Sequence, residues 1–131
     1  MKKSTGRVGK MGEDEACLYL VNNGHSIVKR NWRYSHLEVD IISLDKSGLH
    51  FVEVKARTAP CLVEPQVNVN YTKKRNLTKA AAAFLNSPLR KTLPADLEIF
   101  LDVVTVVFDK TSTRIEYYPQ AYYPVFGNKF F

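Results

Sequence analysis

The chain has 131 residues, 45% of them hydrophobic and 24% charged, which suits one soluble globular domain with a core of ordinary size. Nineteen Lys and Arg against thirteen Asp and Glu give a net charge of +6, which favours a polyanionic partner without by itself separating nucleic acid from an anionic membrane. No run approaches the ~20 apolar residues of a membrane span. The charged N-terminus lacks the apolar stretch of a secretory signal, and Cys17 and Cys61 are too few and too far apart for a zinc motif, so a reduced, cytoplasmic protein is expected.

Val8 to Asn23 reads as a helix closed by Gly24. Its spacing puts Glu13, Ala16, Cys17 and Leu20 on one inward stripe and turns Asp14 and Glu15 away. Ser26 to Tyr34 reads as a strand. Two more follow as a hairpin between Val39 and Val54, turning at Asp45-Lys46-Ser47-Gly48. After an irregular stretch through Pro60 and Pro65, Thr72 to Asn86 is a helix with Leu77, Ala80, Ala81 and Phe84 on its apolar side and Pro88 ending it. Leu97 to Phe108 is a buried strand and Arg114 to Tyr118 an edge strand. The order α-β-β-β-α-β with a C-terminal edge strand implies an α/β domain built on a mixed central sheet. Residues 1–131 form a single domain in this reading, with a basic arm over about residues 1–8 and an aromatic tail over about 117–131.

The hairpin carries the most informative pattern. Pairing Asp45 with Gly48 places Asp40 opposite Glu53 and Glu38 opposite Lys55, with opposed Cβ atoms about 4.5–5.5 Å apart. A single bulge would shift that pairing. Two carboxylates set among Val39, Ile41, Ile42, Val52 and Val54 repel each other unless a cation lies between them. The alternative is a solvated outer face with an ordinary Glu38–Lys55 pair. Glu13, near the N-terminal end of its helix, could reach a metal held by the sheet or merely favour the helix dipole.

Basic residues are concentrated in two places. No acidic residue occurs from Pro65 to Ala95, where Lys73, Lys74, Arg75, Lys79, Arg90 and Lys91 fall, and Lys2, Lys3, Arg7 and Lys10 precede or open the first helix. Such groups can neutralise a phosphate backbone, or can be no more than a solvated helix face and an arm. His25, His36 and His50 stand singly with no partner at ligand spacing and read as structural or surface residues. The repeated Tyr117-Tyr118-Pro119 and Tyr122-Tyr123-Pro124, followed by Lys129-Phe130-Phe131, could stack on unpaired bases, pack on the sheet or join two copies. There is neither a nucleophile elbow nor a phosphate-binding glycine loop.

Taken in order, Gly12-Glu13 with Ala16 and Leu20, Gly24, Asn31 and Arg33, Glu38-Val39-Asp40, Phe51-Val52-Glu53-Val54-Lys55-Ala56-Arg57, Lys73 and Asp102-Val103-Val104 resemble the YraN-like family of small bacterial proteins. That family is related to Holliday-junction resolvases. The resemblance covers about Gly9 to Val107 and implies a restriction-endonuclease-like fold with a divalent-metal nuclease site of the form Asp…Glu-x-Lys. It implies Asp40 and Glu53 as ligands of Mg²⁺ (or Mn²⁺), with the Val54 carbonyl and Glu13 completing the set. Lys55 would orient or help deprotonate the attacking water. Lys73, Lys74, Arg75 and Arg57 would contact the nucleic acid, DNA in the first place, and the products would carry 5′-phosphates and 3′-hydroxyls. A homodimer that cuts two strands is also implied. The chain departs from the family pattern at Leu37, where glycine is frequent, and at Phe100, where a basic residue is common. The rival expectation is a DNA- or RNA-binding module that uses the fold without cutting, and a third is an assembly protein working through the aromatic tail.

Overall fold

In the computed structural model of the chain, residues 6–60 and 71–122 are described. Lys2 and Lys3, Cys61, Pro65, Tyr123-Pro124 and Lys129-Phe130-Phe131 lie outside them. The elements run α1 (Arg7–Asn22), β1 (Ser26–Tyr34), β2 (Leu37–Asp45), β3 (Gly48–Thr58), α2 (Tyr71–Leu85), a short 3-10 turn at Pro88–Thr92, β4 (Ile99–Phe108) and β5 (Thr113–Tyr122). Two expected limits move: α1 begins at Arg7, one residue before the expected Val8, and β5 runs on to Tyr122, four residues past the expected Tyr118 and into the stretch expected as a tail. The tyrosines are drawn in because their rings complete the core: Tyr122 is buried in one cluster and Tyr117 packs against the other.

The five strands form one mixed sheet in the order β1-β2-β3-β4-β5. Only β3 and β4 are parallel, and α2 lies in the crossover between them. The helices cover opposite faces. Ala16 and Leu20 of α1 pack with Ile41, Val52, Val54, Val104 and Val106. Leu77, Ala80, Ala81 and Phe84 of α2 pack with Val39, Ile42, Phe51, Leu101 and Val103 on the other side. Burial on both faces explains why β4 is a nearly unbroken apolar run, since neither face of it meets water.

Two glycines set how closely the pieces approach. A Cβ on Gly12 would stand 2.5 Å from the Ala56 Cβ, so a bare α carbon lets α1 lie directly on β3. Gly48 has φ +150, and a Cβ there would run into the Glu98 carbonyl. That same carbonyl accepts the Leu49 amide hydrogen at 2.8 Å, tying the hairpin turn to the approach into β4.

The hairpin pairs as the turn dictates, from Asp45–Gly48 through to Ile41–Val52. The β2–β3 ladder then stops, one residue short of Asp40 and Glu53. At the same place β2 loses its alternation: Val39 joins the α2-side cluster while Ile41, two residues on, joins the α1-side cluster. Across the β1–β2 ladder, Asn31 sits between the partners of Val39 and Ile41 and has φ +52, the left-handed conformation that asparagine tolerates better than most residues. Strand β2, next to the β1 edge, is thus kinked at Asp40, and β2 and β3 part beyond it.

Candidate functional site

Where the strands part, the Val54 amide has lost a backbone acceptor on β2. The Asp40 carboxylate replaces it, accepting this N–H through Oδ2 at 2.8 Å. Asp40 is 4% exposed, so it is held in the sheet while bordering a recess. That recess is lined by His36, Leu37, Glu38, Asp40 and Glu53 from the sheet and by Lys73, Asn76 and Leu77 from α2. Three carboxylates and one lysine ammonium therefore share one small hollow.

Glu53 is fixed at both oxygens. Oε2 lies 3.6 Å from Lys73 Nζ, and Oε1 accepts from the Tyr122 hydroxyl at 3.5 Å. Burial and the negative charge of Glu53 together push the Tyr122 phenol well above its ordinary pKa, so it stays a donor. Glu38 lies 3.7 Å from Arg33, its partner in the β1–β2 ladder. Its Oε2 is buried and has no hydrogen-bond donor among the described residues.

A second recess adjoins the first and shares Glu53 and Lys73 with it. It is lined by Gly6, Arg7, Val8 and Gly9 at the start of α1 and by Val54, Lys55, Ala56 and Arg57 of β3. Lys55 is buried at 7% exposure, unusual for lysine, whereas Arg57 is exposed and donates to the Ala56 carbonyl at 2.8 Å. The structure therefore gathers Asp40, Glu53, Val54, Lys55, Arg57 and Lys73 around two joined recesses. Lys74 and Arg75 line neither. Nor does Glu13, which is buried on α1 with its Oε1 3.7 Å from Arg30. The same guanidinium bonds Asp14 at 2.9 Å.

The histidines correct an expectation. His25 and His50 are neither solitary nor on the surface: both are buried on the α1 side of the sheet, their ring centroids 4.6 Å apart. His50 Nε2 lies 2.8 Å from Asp45 Oδ1 and its Nδ1 lies 2.6 Å from Asp102 Oδ2. His25 Nε2 lies 3.4 Å from Asp45 Oδ2 and its Nδ1 lies 2.8 Å from Ser43 Oγ. His25, Asp45 and His50 thus present ligand-type atoms all within 4.8 Å of one another. Burial opposes charge on His50, but its hydrogen bonds to Asp102 and Asp45 outweigh that and raise its pKa. Burial and the neighbouring His50 lower that of His25. Phe100, where the family pattern favours a basic residue, stacks on the His50 ring at 4.8 Å. One sign was legible beforehand: the Asp45–Gly48 turn puts His50 opposite Ser43. Nothing local announced His25 or Asp102.

Fold and recess define a mixed α/β protein with an acidic hollow, fringed by lysine, where two strands of its sheet diverge. The chain belongs to the uncharacterised protein family UPF0102, whose model matches residues 12–106, and this is the YraN-like family whose motifs the sequence carries. It is similar to a UPF0102 protein of Bacteroides thetaiotaomicron, 33% identical over 117 residues that cover 89% of this chain and 93% of the relative. A UPF0102 protein of Parabacteroides distasonis is 34% identical over 116 residues, 88% and 92% of the two chains. One of Chlorobium chlorochromatii is 45% identical over 82 residues, 63% of this chain and 64% of its own. Among the described residues no helix is long and apolar enough to cross a membrane.

Proposed function

We propose that the chain is a divalent-metal-dependent endonuclease of restriction-endonuclease-like fold, acting on DNA phosphodiester bonds and preferring branched or otherwise structured DNA. The observation that carries this reading is the joint lining of one recess by Asp40, Glu53, Glu38 and Lys73, with Lys55 in the recess that shares Glu53 and Lys73.

The donor set fits Mg²⁺ or Mn²⁺, which take hard oxygen ligands and need neither Cys nor His. Asp40 and Glu53 would hold the ion. An N–H and C=O of one residue face the same neighbouring strand in an antiparallel ladder, so the Val54 carbonyl points into the same gap and is the third ligand proposed. Glu13, paired with Arg30, is given no ligand role. When bound, the ion supplies charge neutralisation at the scissile phosphate and lowers the pKa of water.

The remaining work falls to this chain's own cations. Lys55, held low in the second recess, orients the attacking water and stabilises charge on the phosphate. Lys73 balances Glu53 in the free protein and turns to a phosphate once an ion takes over that carboxylate. Arg57 takes a neighbouring phosphate. Lys74 and Arg75 extend the basic face of α2 beyond the recess, adding affinity that is independent of base sequence. A homodimer would bring two such sites to two strands.

The experiment is cleavage of labelled junction, flap, single-stranded and linear DNA in Mg²⁺ or Mn²⁺. Metal-dependent cutting by the native chain, sharply reduced in Asp40→Asn, is expected. Cutting retained by a contaminant-free Asp40→Asn/Glu53→Gln protein would overturn the assignment. Binding without cutting in every protein would transfer the weight to a nucleic-acid-binding module.

A further inference from the structure

We infer that His25, Asp45 and His50 form a second metal site, distinct from the Asp40–Glu53 recess, which takes a Zn²⁺-class ion and ties the α1–β1 turn to the β2–β3 hairpin. The three residues come from separate places: His25 from the turn after α1, Asp45 from the end of β2 and His50 from β3. Their ligand atoms converge within 4.8 Å. A tetrahedral zinc site with bonds near 2.1 Å has ligand atoms about 3.4 Å apart, so the widest pair has to close by about 1.4 Å at most.

The surroundings favour an ion over a hydrogen-bond network. Ligating histidines characteristically donate their other ring nitrogen to a carboxylate or similar acceptor, which fixes ring and tautomer. Both histidines have such a partner at the other ring nitrogen: Nδ1 of His50 lies against Asp102 and Nδ1 of His25 against the Ser43 hydroxyl, and both Nε2 atoms converge on Asp45. Asp102 is itself anchored by the Tyr117 hydroxyl at 2.6 Å and the Gln120 amide at 2.8 Å. Asp45 Oδ1 accepts the Ser47 and Gly48 amides and the Ser47 hydroxyl and lies 2.8 Å from His50 Nε2, while Oδ2 faces His25 and is the proposed ligating oxygen.

Ligand chemistry sets the choice of ion. Two imidazoles with one carboxylate suit Zn²⁺ and its borderline neighbours, whereas Mg²⁺ selects the all-oxygen recess. The two sites are also separate in space. His50 and Glu53 are three residues apart on β3, about 10 Å, and their side chains leave opposite faces of the sheet.

The test uses the full chain, freed of metal by chelation, alongside Asp40→Asn/Glu53→Gln, which silences the acidic recess. After dialysis against Zn²⁺, about one ion per chain is expected in both proteins. Melting temperature should rise with Zn²⁺ and not with Mg²⁺. With Co²⁺ as probe, visible d–d absorption should develop without the near-ultraviolet band of a thiolate ligand. Ser43→Ala should weaken Zn²⁺ binding about 10–100-fold through the lost partner of His25, and His25→Gln should weaken it further. No Zn²⁺ uptake by the folded native chain, uptake unchanged in His25→Gln, or a thiolate band pointing to a cysteine would each overturn the site. Should His25→Gln fail to fold, Ser43→Ala and the uptake by the native chain still decide.

Discussion

Asp40 accepts the Val54 amide hydrogen at 2.8 Å, just past the last backbone pair of β2 and β3. One carboxylate therefore finishes the sheet and borders the recess. The two roles separate by substitution. Asp40→Asn keeps an oxygen acceptor for Val54 but loses the negative charge, so it should melt near the native temperature. Its metal-dependent cleavage should fall on the order of 10²–10³-fold, the loss expected when several kcal/mol of metal-centred stabilisation goes. Asp40→Leu leaves the amide without an acceptor and should cost a further ~1–3 kcal/mol of stability. Thermal melts and cleavage rates measured on the same preparations check both statements.

A Cβ on Gly12 would stand 2.5 Å from the Ala56 Cβ, so Gly12→Ala forces α1 away from β3. A loss of about 1–3 kcal/mol in urea denaturation is expected, the usual cost of overpacking. Ala56→Gly removes the opposing methyl group. The double variant should therefore recover part of the loss, and strictly additive effects in the cycle would refute the contact as the cause.

Lys73 faces Glu53 at the junction of the two recesses, whereas Arg75 lines neither. Lys73→Ala should weaken DNA binding and lower the slope of log K against log salt by about 1, as for one lost phosphate contact. Arg75→Ala should have the smaller effect on cleavage. Fluorescence anisotropy across a salt series separates the two.

Asp102 is completely buried and accepts from His50, Tyr117 and the Gln120 amide. Asp102→Ala leaves three donors stranded and should cost about 3–5 kcal/mol in chemical denaturation. Tyr117→Phe removes the hydrogen bond to Asp102 together with the long 3.4 Å contact to His50 Nδ1 and should cost about 1 kcal/mol. An Asp102→Ala chain as stable as the native one would show that this network contributes nothing to the fold.

The order of elements, the hairpin and its turn, the apolar side of α2 and the inward placement of Glu13 were all legible in the sequence. The reason is that each is local. A four-residue turn sets strand pairing, and helical spacing sets which residues share a face. Asp40, Glu53 and Lys55 could be named because the turn brings them together at short range. Tertiary structure alone decided the kink at Asp40, the extension of β5 to Tyr122, and the meeting of His25, Asp45, His50 and Asp102. Those four residues arrive from a turn and three strands, and only packing on both faces of the sheet puts them within hydrogen-bonding distance. No spacing along the chain encodes such a meeting, because the residues that separate them fold into the helices and strands that hold them there.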